Sequence, residues 1–288
     1  MNKKEKLIYQ LKREMHLRRY AENSIETYSS CLNVFLCAMA GKPAPLSIEH
    51  IKTFLLQFKN ANYHKQMVSA IHRFYEFVLK NPLKLDDIPY PRKTDYLPQI
   101  FSVQEVNRLV NSYNNLKHKG IIQLMYSCGL RTGEISKILV SDIDSNRQII
   151  RIAGAKGFKD RDVYIPSATI ELLRSYYKKY KPKNLLFEGQ FVNEAYSERS
   201  IQQIFWQGVH RINCKKKVRP HSLRHSRATH LKEAGLDIKD LKDFLGHNQI
   251  KTTELYLKLA KESLSKRIIQ ADEKLAAVLN FSNNKLLA

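Results

Sequence analysis

Apolar residues recur at helical spacing through the first eighty positions. Leu7, Ile8, Leu11 and Met15 mark one face of residues 5–16, and Ile25, Tyr28, Leu32, Phe35 and Leu36 mark a second helix that ends near Gly41-Lys42-Pro43. Ser47 caps a third helix bearing Ile48, Ile51, Phe54, Leu55 and Phe58. A fourth, from about Asn62, carries Met67, Ala70, Ile71, Phe74, Tyr75 and Val78 and stops before Asn81-Pro82. Four amphipathic helices on short loops predict a bundle, with Phe74 and Tyr75 in its core rather than on a base-stacking surface. Pro82, Pro89, Pro91 and Pro98 then interrupt the periodicity over residues 81–100, which read as a linker.

Ser102-Val103-Gln104-Glu105 is a capping box that opens a second segment. An apolar helix begins at residues 121–126 and runs into Cys128-Gly129-Leu130-Arg131-Thr132-Gly133-Glu134-Ile135, where two glycines flank Arg131. Beyond Asp142 the period becomes two, which predicts strands over residues 147–153 and 161–165 around a Gly-rich turn carrying Lys156. Further helices are expected over residues 167–181 and 200–209. The whole reads as mainly α with a small β-sheet.

The C-terminal third holds the densest chemistry. Residues 222–234 predict a helix stopped by Gly235, with His221 and Arg224 on one side of its first turn. Asp237 caps the next helix, which bears Ile238, Leu241, Phe244 and Leu245 and stops at Gly246, leaving His247 just past its end. Thr252 or Thr253 is expected to cap a third helix carrying Tyr256 in its second turn. Three short helices of this kind bring His221, Arg224, His247 and Tyr256 around one point. His221, His225 and His230 do not share one helical face and no acidic motif completes a set, so no metal site is expected.

Charge narrows the partner. The 288 residues carry 49 Lys+Arg against 27 Asp+Glu, a net charge of +22, which favours a polyanion. A membrane surface is disfavoured, because the sequence has no run of 18 apolar residues, no signal-peptide core and no lipidation motif; a soluble, cytoplasmic protein is expected. Cys31, Cys37, Cys128 and Cys214 lack C-x-x-C spacing and read as reduced core thiols. Lys215-Lys216-Lys217, ahead of Arg219, reads as a phosphate-facing loop.

His221-x-x-Arg224, then Gly246-His247, then Tyr256 nine residues later resembles the C-terminal signature of the tyrosine recombinases, the phage integrase and Xer family. Gly129-Leu130-Arg131-Thr132-Gly133-Glu134 resembles that family's Gly-Leu-Arg-x-x-Glu phrase, and Lys156 to Arg161 resembles its Lys-Gly-x-Lys-x-Arg phrase. The resemblance implies a core-binding (SAM-like) helical DNA-binding domain over residues 1–88, a linker over 89–100 and a catalytic domain over 101–288. It implies catalytic Arg131, Lys156, His221, Arg224, His247 and Tyr256, with Lys159 the alternative to Lys156 and Glu134 orienting Arg131. The implied partner is double-stranded DNA with paired core sites, bound by a homotetramer. The tail, residues 261–288, has Ile268, Ile269, Leu275, Val278 and Leu279 as an apolar face that packs on its own domain or passes to a neighbouring protomer. Arg227, Leu257 and Lys258 depart from the family's usual residues.

The residue types suit this chemistry. A phosphodiester is anionic and has a poor leaving alkoxide, so catalysis needs positive charge, an in-line nucleophile and an acid. Arg131 and Arg224 are suited to clamp the non-bridging oxygens, His221 and His247 to donate hydrogen bonds, and His221 also to help deprotonate Tyr256. Lys156 would protonate the departing 5′ oxygen, and Tyr256 would form the covalent phosphotyrosine, which the resemblance places on the 3′ phosphate. Neither a metal nor a nucleotide cofactor is required. A type IB topoisomerase shares the set, a regulator that has lost catalysis would not need it, and a metal-dependent nuclease would be sensitive to chelators. The target sequence, the choice between chromosome dimer resolution and mobile-element integration, and any partner recombinase are left open.

Overall fold

The computed structural model describes residues 2–41, 47–83, 87–91, 97–153, 160–191, 193–260 and 268. Lys156 and Lys159 lie outside the described residues, as does the tail apart from Ile268. The chain divides into two units, Met1–Asp95 and Tyr96–Ala288.

In the first unit the local caps set where helices begin. Helix α1 (Lys3–Leu17) starts on Asn2, whose side chain accepts from the Glu5 amide while Glu5 accepts from the Asn2 amide, both at 2.9 Å. Helix α2 (Glu22–Ala38) follows Ala21, which has no capping side chain; α3 (Ile48–Leu56) starts on Ser47 and α4 (Ala61–Phe77) on Asn60. Their apolar faces meet in one core that includes Leu11, Met15, Ile25, Leu32, Phe35 and Ile71. Phe74 and Tyr75 are buried in it, as their spacing predicts. Each fully buried large side chain contributes about 1.5–3 kcal/mol before ordering costs are set against it. The chain leaving α4 stays fastened: Ile88 is buried in this core, its carbonyl lies 3.2 Å from His72 Nε2, and Tyr90 stacks on the His72 ring.

The second unit is fastened at its start as well. The Phe101 amide donates to Ser226 Oγ at 2.9 Å, Lys216 Nζ donates to the Ile100 carbonyl at 3.0 Å and Glu105 at 2.6 Å, and the Lys217 amide donates to the Gln99 side chain. The Lys215–Lys217 run is therefore not simply a phosphate-facing loop, since Lys216 is held by a carboxylate and a carbonyl. Glu105 also completes the capping box on Ser102 at the head of α5 (Val103–Asn111). Helix α6 (Leu116–Ser127) leads through Gly129 to the single turn α7 (Thr132–Ile135).

A three-stranded antiparallel sheet follows, β1 (Ile143–Asp144), β2 (Ile149–Ile152) and β3 (Arg161–Tyr164), in that order. Ile150, Ile152 and Val163 face the core while Arg151 and Asp162 face solvent, the alternation that revealed the strands. The strands are shorter than the sequence predicts, and β1 was not anticipated because two residues show no period. Helices α8 (Ser167–Tyr180) and α9 (Glu198–Arg211, on a Ser197 cap) pack with α6 around a core containing Phe101, Leu124, Leu173, Phe187 and Phe205.

Helix α10 (Pro220–Glu233) begins two residues before the predicted start, because proline at N1 has its φ preset and loses no bonded amide. Helix α11 (Ile238–Leu245) is capped by Asp237 as expected. Neither Thr252 nor Thr253 caps the last helix: Ile250–Thr252 form a 3-10 turn, and α12 (Leu255–Leu259) carries Tyr256 in its first turn. All four cysteines are free, but Cys37 is exposed rather than a core thiol.

Gly208 on α9 fits against Tyr113, whose phenol donates to the Ile204 carbonyl at 2.6 Å; a Cβ at position 208 would lie 2.0 Å from the Tyr113 phenolic oxygen. Gly208→Ala is therefore expected to destabilise the second unit by about 1–3 kcal/mol through overpacking. Urea unfolding followed at Trp206, which lies on the same helix, measures this; an unchanged midpoint would contradict the packing.

Candidate active site

Arg224 is the deepest charged group of the second unit, with 1% of its surface exposed. It projects from the second turn of α10, where Nη1 donates to the Gly129 carbonyl and Nη2 to the Leu245 carbonyl. Those bonds join the turn after α6 to the end of α11. Both turns need glycine: Gly129 has φ +58°, and Gly246, next to Leu245, has φ +62°. Arg224 Nε has no partner. Burial first, and then the nearby Arg131, pull the guanidinium down to about 9, so it remains a cation at neutral pH.

Arg131 caps α7 and is partly exposed. Its amide donates to Glu134 Oε2 at 2.9 Å and its Nη1 to Oε1 at 2.8 Å. Glu134 also receives both ends of the Arg161 guanidinium, at 2.9 and 3.0 Å. Burial pushes this carboxyl up, but the Arg161 fork, the Arg131 amide and the Arg131 charge outweigh it and hold Glu134 at about 2. Arg131 and His221 share the wall of a cleft of about 980 Å³ with Trp206, Arg219 and the Ile152–Ala153 end of β2.

Tyr256 is 1% exposed and lies between two histidines. Its phenolic oxygen is 3.0 Å from His225 Nδ1, and its ring stacks on that of His247 with centroids 6.4 Å apart at 10°. His247 Nδ1 is 3.0 Å from Thr253 Oγ1, which explains why Thr253 is buried instead of capping a helix. His221 is exposed, and its ring meets His225 edge-on at 4.5 Å. Burial pushes the Tyr256 phenol up to about 12, against the pull of Arg224 and Arg131.

The structure thus gathers Arg131, His221, Arg224, His247 and Tyr256 in one unit. Sequence reasoning missed two neighbours. His225, weighed only as a metal ligand, is the ring that touches Tyr256, whereas His221 was expected to serve it; its position four residues after His221 on one helix was the available signal. Arg161 appeared only as the last residue of a motif. Among the described residues, no group of three His, Cys, Asp or Glu is arranged to hold a metal ion, and no helix is long and apolar enough to cross a membrane.

Burial first, then Arg224, holds His225 at about 4, and the same causes with Arg131 hold His247 at about 4. Unfolded histidine titrates near 6.5. Between these values the native state binds fewer protons, so stability falls as pH drops through the window from about 6.5 to 4. The Glu134 carboxylate adds a further loss as pH falls from its unfolded value toward about 2. The second unit should therefore melt lower at pH 5 than at pH 7.5, with a shallower dependence in His225→Gln; equal slopes in thermal melts would contradict the buried neutral ring.

The sequence model of the phage integrase family matches residues 99–263, and that of the phage integrase N-terminal SAM-like domain matches residues 7–85. Tyrosine recombinase XerD of Staphylococcus aureus (strain Mu50) is 32% identical over 228 residues, covering 73% of this chain and 76% of that protein. A tyrosine recombinase of Thermosipho africanus (strain TCF52B) is 29% identical over 267 residues, covering 86% of this chain and 92% of that one. The crystal structure of XerH site-specific recombinase bound to palindromic difH substrate, a post-cleavage complex, shares the fold with a TM-score of 0.71 at 19% identity, over 87% of this chain and 80% of that one. The matched signature, the mainly helical fold with its small sheet and the N-terminal SAM-like domain agree, and the chain belongs to the phage integrase family of tyrosine recombinases.

Proposed function

We propose that the protein is a site-specific DNA recombinase that cleaves and rejoins strands through a covalent 3′-phosphotyrosine on Tyr256. The observation that carries this reading is the convergence of one phenol, two histidines and the Arg224 guanidinium beside a cleft walled by Arg131 and His221.

Arg131 and Arg224 grip the non-bridging oxygens. Two of the five N–H donors of Arg224 are committed to carbonyls, which fixes its plane and leaves others for a phosphate. His225 is the group within reach of the phenolic proton, and His247 and His221 donate to the pentavalent centre. An incoming phosphate brings negative charge beside these rings and raises their basicity. Lys156, by the motif it belongs to, protonates the departing 5′ oxygen. Guanidinium charge does the work that a metal would otherwise do, so no metal or nucleotide cofactor enters the reaction.

The partner is double-stranded DNA with paired core sites, acted on in the cytoplasm by a homotetramer. The net charge of +22 supports a DNA partner, and the XerH site-specific recombinase that shares this fold was solved bound to its palindromic difH substrate.

Covalent trapping on a nicked duplex in EDTA tests this, using DNA from the genome or element that encodes the protein. A DNA-linked species on a denaturing gel is expected for the wild type and none for Tyr256→Phe, while Arg224→Lys should slow its formation by about 10²-fold or more. No adduct on a duplex the protein binds, or an adduct with Tyr256→Phe, would overturn the assignment.

A further inference from the structure

Two guanidiniums, Arg131 and Arg161, donate to one carboxylate, Glu134, and a third, Arg224, lies near enough to feel its charge. Arg161 is the one that gives both terminal nitrogens to that carboxylate, with both side chains only 10% exposed. It is fixed from two further directions. A Cβ at Gly246 would lie 2.6 Å from Arg161 Cδ, so the turn before His247 closes directly on its stem. Its backbone lies opposite Ile152 in the β2–β3 ladder. Arg161 therefore ties the hairpin, the helix that begins at Arg131 and the turn ahead of His247 to one point.

We propose that Arg161 is a positioning residue that acts through Glu134: by occupying that carboxylate, it keeps the positive charge of Arg131 available to a phosphate. The inference rests on the phosphoryl-transfer reading of this site. With neutral histidines, the three guanidiniums and the carboxylate sum to two positive charges, matching the two negative charges of a pentavalent phosphorane formed from a phosphodiester and a phenolate; the Lys156 ammonium stands outside this sum because its proton passes to the leaving oxygen. Without Arg161, Glu134 has Arg131 as its remaining partner, and one positive charge is left. A purely structural Arg161 acts through stability, since a buried carboxylate left without its fork destabilises the fold, and it leaves phosphate binding by the folded protein at background. The charge account predicts that phosphate binding itself falls without Arg161 and returns when the carboxylate is removed as well.

The test compares wild type, Arg161→Gln and Arg161→Gln/Glu134→Gln, with folding checked by circular dichroism. One readout is single-turnover adduct formation on saturating nicked duplex; the other is inorganic phosphate binding by the DNA-free protein. Lys178→Gln, which removes one exposed charge on α8, sets the background. Arg161→Gln is expected to lower adduct formation by about 10- to 100-fold and to weaken phosphate binding beyond background, and the double variant to recover most of both. A double variant at or below Arg161→Gln in phosphate binding overturns the proposal. If wild type forms no adduct while the phosphate series holds, the recombinase reading fails and the charge role of Arg161 stands. Should Arg161→Gln not fold, Arg161→Lys keeps the charge without the fork: phosphate binding near wild type supports the proposal, and a loss beyond background overturns it.

Discussion

Burying a guanidinium is the constraint on which the rest of the catalytic unit depends. A cation withdrawn from water is costly unless its N–H groups are met, and Arg224 meets the need with two backbone carbonyls from turns far apart in sequence. Those carbonyls point inward only because Gly129 and Gly246 adopt left-handed conformations that side chains resist. One charge thus fixes where α6 ends and where α11 ends, and with them Arg131 and His247.

The same low-dielectric setting governs the other members. Tyr256 is stored as a protonated phenol between neutral histidines, and Glu134 is kept ionised by paired guanidiniums. At rest the site holds guanidinium charge beside a protonated phenol and neutral rings. Negative charge brought beside those rings would raise their basicity and so shift the balance that holds the phenolic proton.

Local signals were the most legible in the sequence. The capping box at Ser102 and Glu105, the Asp237 cap and the apolar stripes of the first four helices depend on neighbours within a few residues, and they appear where expected. Motif spacing likewise singled out Arg131, His221, Arg224, His247 and Tyr256, which lie in one unit. Contacts between distant elements were not legible. The Arg161–Glu134 pair spans 27 residues and exists only once β3 lies beside α7. The approach of His225 to Tyr256 depends on α12 folding back onto α10 after a 3-10 turn that no period announces. Lys216 looked like free charge because its partners, Ile100 and Glu105, lie more than a hundred residues earlier.

Covalent capture of a phosphoryl group on the Tyr256 phenol is the step proposed for this gathering of groups. Mass spectrometry of the protein–DNA adduct after proteolysis and nuclease digestion measures it most directly. A nucleotide joined through its 3′ phosphate to the peptide containing Tyr256 is the expected product. Attachment through a 5′ phosphate, or to any other side chain, would contradict it.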